Sequence, residues 1–153
     1  MSRNEADWYI RSVLIAVRSL DRSIAFYRDV MSLELLARSG EVAILGEGTP
    51  RSGALILREV AGTATRHGQQ ALGARAVCFN LDTQAALDRV EERLGALGGS
   101  PTRRGLSEDD PLELVHGRDP DGFPIVFLSF EGFESLDAHH YRNVVMNMYG
   151  LDV

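Results

Sequence analysis

The chain of 153 residues, 44% hydrophobic and 25% charged, has the size and balance of one folded domain and not of a disordered segment. Its net charge of −6 argues against nucleic acid or an anionic membrane as partner, and is compatible with a cationic ligand or simply with solubility. All 16 basic residues are arginine, which excludes lysine Schiff-base and general-base mechanisms, and a single cysteine excludes an internal disulfide or a Cys-rich zinc site.

Residues 10–18, IRSVLIAVR, are β-branched and apolar enough for a buried strand. Ser19, Asp21 and Ser23 supply N-cap chemistry for a helix over about 21–31, with Leu20, Ile24, Tyr27 and Met31 at helical spacing. Three short strands follow, Leu33–Arg38, Glu41–Leu45 and Ala54–Glu59. Residues 61–73 lack periodicity and read as a linker. The order then repeats. Ala74–Leu81 is a strand, Asp82 or Thr83 a cap, and Ala86, Leu87, Val90, Leu94 and Leu97 form one helix face that Gly98 and Gly99 end. Further strands fall near Ser100–Arg104, Leu112–Gly117 and Pro124–Phe130, the last two joined by the turn DPDG at 119–122. A last amphipathic helix is expected over about 133–149, with Leu136, His140, Val144 and Met148 in one stripe.

The pattern is α+β: a βαβββ module over about 10–60, the linker, a second βαβββ module over about 74–130, and the C-terminal helix. No run approaches 18 apolar residues, and the opening MSRNEADWYI lacks the apolar stretch of a secretory signal, so a cytoplasmic, soluble chain is expected.

Three stretches, VLIAVRSLDRSIAFYRDVMSLEL at 13–35, CFNLDTQAALDRVEERLGALGG at 78–99 and RDPDGFPIVFLSF at 118–130, resemble the vicinal oxygen chelate superfamily. That group includes glyoxalase I, extradiol dioxygenases and bleomycin-resistance proteins. The resemblance implies a single domain of two modules, each curling a four-stranded sheet into half of a barrel-like cavity with its helix outside. In metal-dependent members a divalent ion is held by His or Glu on the first and last strand of each module, where oxygen and imidazole donors suit it. Carried onto this sequence, those positions are Ser12, Ile56, Ala76 and Val126. None is a customary ligand, and Glu59 would need a bulge to reach the centre. The expectation is therefore no metal and no cofactor.

Strand alternation groups Ser12, Leu14, Ala16, Arg18 with Ala54, Ile56, Arg58, and Ala76, Cys78, Asn80 with Pro124, Val126, Leu128 and Phe130, as a mostly apolar cavity lining. Arg58 either clamps a carboxylate or phosphate or, the plainer reading, reaches solvent or pairs with Glu59 or another acid. Cys78 is a nucleophile only with a lowered pKa, and otherwise a small hydrophobe. Asn80 reads as a strand-end contact. His116 is either a cavity-facing base or a packed histidine. Trp8, with Tyr9, stacks on a planar ligand, anchors an interface or packs on the C-terminal helix. His67 reads as exposed, and the adjacent His139 and His140 diverge on a helix and cannot form an i, i+4 zinc pair.

The expected function is binding of a small hydrophobic or aromatic molecule without a metal, as in bleomycin-resistance sequestration. The alternatives are a lyase, isomerase or oxygenase with an atypical or metal-free site, or a chain whose cavity is filled by its own side chains. No catalytic residue is assigned. The resemblance also implies a homodimer, with no nucleic-acid or membrane partner.

Overall fold

The computed structural model of the chain describes residues 10, 12–49, 53–62, 76–105 and 113–129. The expectations for Trp8, Tyr9, His67, Phe130 and the 133–149 helix lie outside them, as does most of the linker. Two compact units divide the chain at Met1–Ala64 and Thr65–Val153. Each contains one four-stranded mixed sheet and, among the described residues, one helix, which makes the protein α+β.

In the first unit β1 (Ser12–Val17) runs into α1 (Leu20–Met31), then β2 (Glu34–Ser39), β3 (Val42–Gly46) and β4 (Ala54–Glu59). The sheet order is β1-β4-β3-β2, with β1 and β4 parallel and the other pairs antiparallel. A parallel pair needs a long crossover, and α1 with β2 and β3 supplies it. Of the three cap candidates, Ser19 is the N-cap: its extended backbone lets Oγ accept the Arg22 N–H, whereas Asp21 and Ser23 already lie in the helix. Leu20, Ile24, Phe26, Tyr27 and Val30 are buried against Ile15, Val17, Ala43, Leu45, Leu55 and Leu57, while Met31 is half-buried. Each large apolar side chain buried this way contributes roughly 1.5–3 kcal/mol, which fixes the helix to one face of the sheet.

Glu59, at the end of β4, is spent on that helix. Its Oε2 accepts the Leu20 N–H at 2.7 Å, satisfying one of the unpaired donors at the start of α1 and placing negative charge at the positive end of the helix dipole. Glu59→Ala is expected to lower the unfolding free energy by about 1.5 kcal/mol, read as a shift in the urea midpoint at constant slope.

The second unit repeats the plan: β5 (Val77–Leu81), α2 (Gln84–Ala96), β6 (Thr102–Gly105), β7 (Glu113–Arg118) and β8 (Pro124–Ser129), in sheet order β5-β8-β7-β6. Thr83, not Asp82, caps α2, its Oγ1 accepting the Ala86 N–H. Leu87, Val90 and Leu94 are buried, but Leu97 is not part of that face. It is the C-cap, 46% exposed, because the helix has ended one residue earlier. Gly98 follows at φ +73° and Gly99 N–H returns to Leu94 O at 2.8 Å, a Schellman closure. Arg103 on β6 reaches back to α2 and across to β7, holding Asp88, Glu91 and Glu113 at 2.6–2.7 Å. The DPDG turn is tied by Asp119, whose Oδ1 accepts the Asp121 and Phe123 N–H groups, with Gly122 at φ +80°.

Candidate functional site

Because side chains alternate along a strand, each sheet has one face toward its helix and one away from it. Arg38 pairs with Asp21 of α1, and Glu59 with its N-terminus, so these two lie on the helix side of the first sheet. The opposite phase forms the far face. The strand registers align Ala16, Arg58, Val42 and Ser39 in one row, Leu14, Ile56, Ile44 and Ala37 in the next, and Ser12, Ala54, Gly46 and Glu34 in a third.

This far face is open. Leu14 is 58% exposed, Ser12, Ala16 and Arg58 are exposed, and Ile44 and Ile56 are half-buried. Residues that read in the sequence as core strand therefore present apolar surface to solvent. The pairing of Arg58 with Glu59 does not form, since consecutive strand residues face opposite ways. Nor does Arg58 make any ion pair or hydrogen bond with another described residue.

In the second sheet Gly117 lies on the helix side, where an added Cβ would meet Leu94 of α2. The far face carries Cys78, Val126, His116 and Thr102 in one row and Asn80, Leu128, Leu114 and Arg104 in the next. Here the outcome differs from the first sheet: Leu114, Val126 and Leu128 are at most 3% exposed. Asn80 is exposed. Burial pushes the Cys78 thiol up to about 12, which favours the protonated thiol at neutral pH. The His116 Nε2 is buried with no hydrogen-bond partner.

Burial first, and the Arg104 charge second, lower the His116 pKa from its ordinary 6.5. The folded chain then binds fewer protons than the unfolded one just below that pH, so this contribution to stability is complete above pH 6.5 and falls away as the pH drops. His116→Gln is expected to flatten the acid limb of a Tm-against-pH profile between about pH 7 and 5, with little change at pH 8.

All the described candidates, Ser12, Arg58, Cys78, Asn80, His116 and Val126, thus lie on far faces, the first two on one sheet and the other four on the second. Missing from the candidates are Val42 and Ile44 of the open face; β3 is apolar at every position but its last, so alternation gives it no phase. A surface depression of about 440 Å³ at the end of α1, lined by Ala25, Arg28, Asp29, Ser32, Leu33 and Glu34, contains none of the candidates.

Tested against a divalent ion, the four implied positions do not fit. Ser12 offers one weak hydroxyl, Ile56, Ala76 and Val126 offer no donor, and Glu59 is turned to α1. Among the described residues no group of three or more His, Cys, Asp or Glu side chains is placed to hold a metal ion.

The sequence model of the Glyoxalase/Bleomycin resistance protein/Dioxygenase superfamily matches residues 9–127. Among solved structures, the chain is similar to a glyoxylase/bleomycin resistance protein/dioxygenase domain from Frankia sp. EAN1pec, at 23% identity and TM-score 0.66 over 81% of this chain and 98% of that one. It is similar to lactoylglutathione lyase from Agrobacterium tumefaciens, at 23% identity and TM-score 0.62 over 86% and 100%. The genomically encoded fosfomycin resistance protein from Listeria monocytogenes aligns at 12% identity and TM-score 0.63 over 89% and 99%. At these identities the likeness is one of fold. No curated protein matches the sequence.

Proposed function

The chain belongs to the Glyoxalase/Bleomycin resistance protein/Dioxygenase superfamily, and from that premise we propose that it binds a small hydrophobic or aromatic molecule on the far face of its first sheet without a metal. The observation that carries this is the apolar row of exposed Leu14 and half-buried Ile56 and Ile44 at positions of core-strand character. An apolar surface of this kind, edged by polar residues, marks a place where something docks. The donor set supports the metal-free form. Sequestration in the manner of bleomycin-resistance proteins needs only such a surface.

The test is a titration with N-phenyl-1-naphthylamine, a neutral aromatic probe whose fluorescence rises on entering an apolar site. Saturable uptake by the folded chain supports the reading; no uptake overturns it. A stoichiometric Mn, Fe, Ni or Zn ion in chain purified from its native host overturns the metal-free part.

A second reading, acid/base chemistry in a metal-free lyase, isomerase or oxygenase, draws on the unpartnered and neutral imidazole of His116. Once a native ligand is in hand, mass spectrometry separates the two: unchanged ligand after incubation supports binding, and a changed mass supports catalysis. The proposal includes a cytoplasmic homodimer with no nucleic-acid or membrane partner, checked by sedimentation. Among the described residues, no helix is long and apolar enough to cross a membrane.

A further inference from the structure

We propose that the molecule taken up on this face carries an oxyanion, a carboxylate, sulfonate or phosphate, beside its apolar body, and that Arg58 receives it. The inference rests on the binding reading above and narrows its ligand class.

Arg58 occupies the row next to the apolar one, two residues along β4 from Ile56. That spacing is about 7 Å, within the length of one small amphipathic molecule. A body lying on Leu14, Ile56 and Ile44 therefore brings a terminal anion to the guanidinium. Among the described residues no acid pairs with Arg58. Glu59 holds the Leu20 N–H on the other side of the sheet. Asp21 is taken by Arg38 at 2.6 Å, also on the helix side. Glu34 shares the open face but stands at its opposite corner, two strands and two rows away. Arg103 shows what the chain does with an arginine that serves structure: it surrounds it with three carboxylates. Arg58 has none.

A guanidinium recognises an oxyanion through two parallel hydrogen bonds, and covering it with an apolar ligand strengthens them by excluding water. The net charge of −6 works in the opposite direction, favouring cations over the molecule as a whole. A preference for anions at this face would accordingly be local, and would not follow from overall charge.

The experiment compares N-phenyl-1-naphthylamine with 8-anilinonaphthalene-1-sulfonate, the same ring system carrying a sulfonate, by fluorescence and calorimetry on folded protein at two salt concentrations. The wild type is expected to bind the sulfonate about tenfold more tightly than the neutral probe, with the advantage shrinking at high salt. Arg58→Gln removes the advantage, bringing the sulfonate down to the affinity of the neutral probe; Arg58→Lys retains part of it. Arg58 is exposed, so both variants should keep the wild-type Tm.

An Arg58→Gln chain with the same sulfonate preference as wild type overturns this inference and leaves the binding reading intact. A wild type that favours the neutral probe does the same. If neither probe binds, the binding reading falls first. A wild-type dimer that Leu14→Asp dissociates would then assign the face to a second copy of the chain.

Discussion

Leu14→Asp should leave the chain folded while reducing affinity for N-phenyl-1-naphthylamine at least about tenfold. Leu14 is 58% exposed and lies away from α1, so the folded state gives up little apolar burial when it is replaced. The bound state loses much more. A ligand lying on the row of Leu14, Ile56 and Ile44 would have to cover a carboxylate and strip its water, at a cost of a few kcal/mol unless the ion is paired. Each 1.4 kcal/mol of that cost is about a factor of ten in Kd. The introduced acid would also stand diagonally beside Arg58 and offer it a partner, so the sulfonate probe should lose affinity at least as steeply. Leu14→Ala, which removes area without adding charge, should weaken both probes by only a few-fold. Unchanged binding of the neutral probe by a folded Leu14→Asp chain would remove this face from the site.

Gly99→Ala is expected to destabilise the second unit by about 3 kcal/mol, lowering Tm by roughly 6–12 °C. A Cβ at Gly99 would lie 2.8 Å from Leu94 Cδ2, 3.1 Å from the Arg118 carbonyl oxygen and 3.2 Å from that of Leu94. Two of those three atoms are backbone and cannot rotate aside. Retreat is blocked as well, because Gly99 N–H donates to Leu94 O at 2.8 Å and its own carbonyl accepts Arg118 N–H at 2.9 Å. Gly98→Ala supplies the contrast. Nothing lies within 4 Å of its added Cβ, but the residue sits at φ +73°, a conformation that costs an L side chain about 1 kcal/mol. Thermal melts should therefore rank Gly99→Ala well below Gly98→Ala. The reverse order would mean that the left-handed turn, not the tight approach of α2 to β7, limits stability here.

The element order was legible because its signals are local. Apolar spacing marked both helices, Gly98 marked a helix end, and DPDG marked a turn. Alternation along β1 also separated Ser12, Leu14 and Ala16 from Ile15 and Val17, which placed the candidate residues on common faces. Burial was less legible. Leu14 on β1 and Val126 on β8 are both aliphatic residues on the far faces of their sheets, yet one is 58% exposed and the other 2%. No property of either residue encodes that difference, since it depends on what else the folded chain brings near. The role of Glu59 was hidden for a related reason. Its partner, the Leu20 N–H, is 39 residues away and belongs to the backbone, which has no sequence signature. Leu97 continued the apolar stripe of α2 on paper and fell outside it because the helix stops at Ala96.

Arg58 and Glu59 are neighbours on one strand, and the pleat assigns them to opposite tasks. Sliding β4 by a single residue against β1 and β3 would exchange them. A carboxylate would then sit on the face of Leu14 and Ile44, with Leu55 and Leu57 there in place of Ile56, and a guanidinium would face the start of α1, where the helix dipole repels it. An insertion or deletion in the loop before β4 that changed the strand's phase would thus replace the guanidinium on the open face by a carboxylate and unseat the helix in the same event. A chain that keeps α1 capped by Glu59 thereby keeps residue 58 on the other side of the sheet, so the cap fixes which face Arg58 serves.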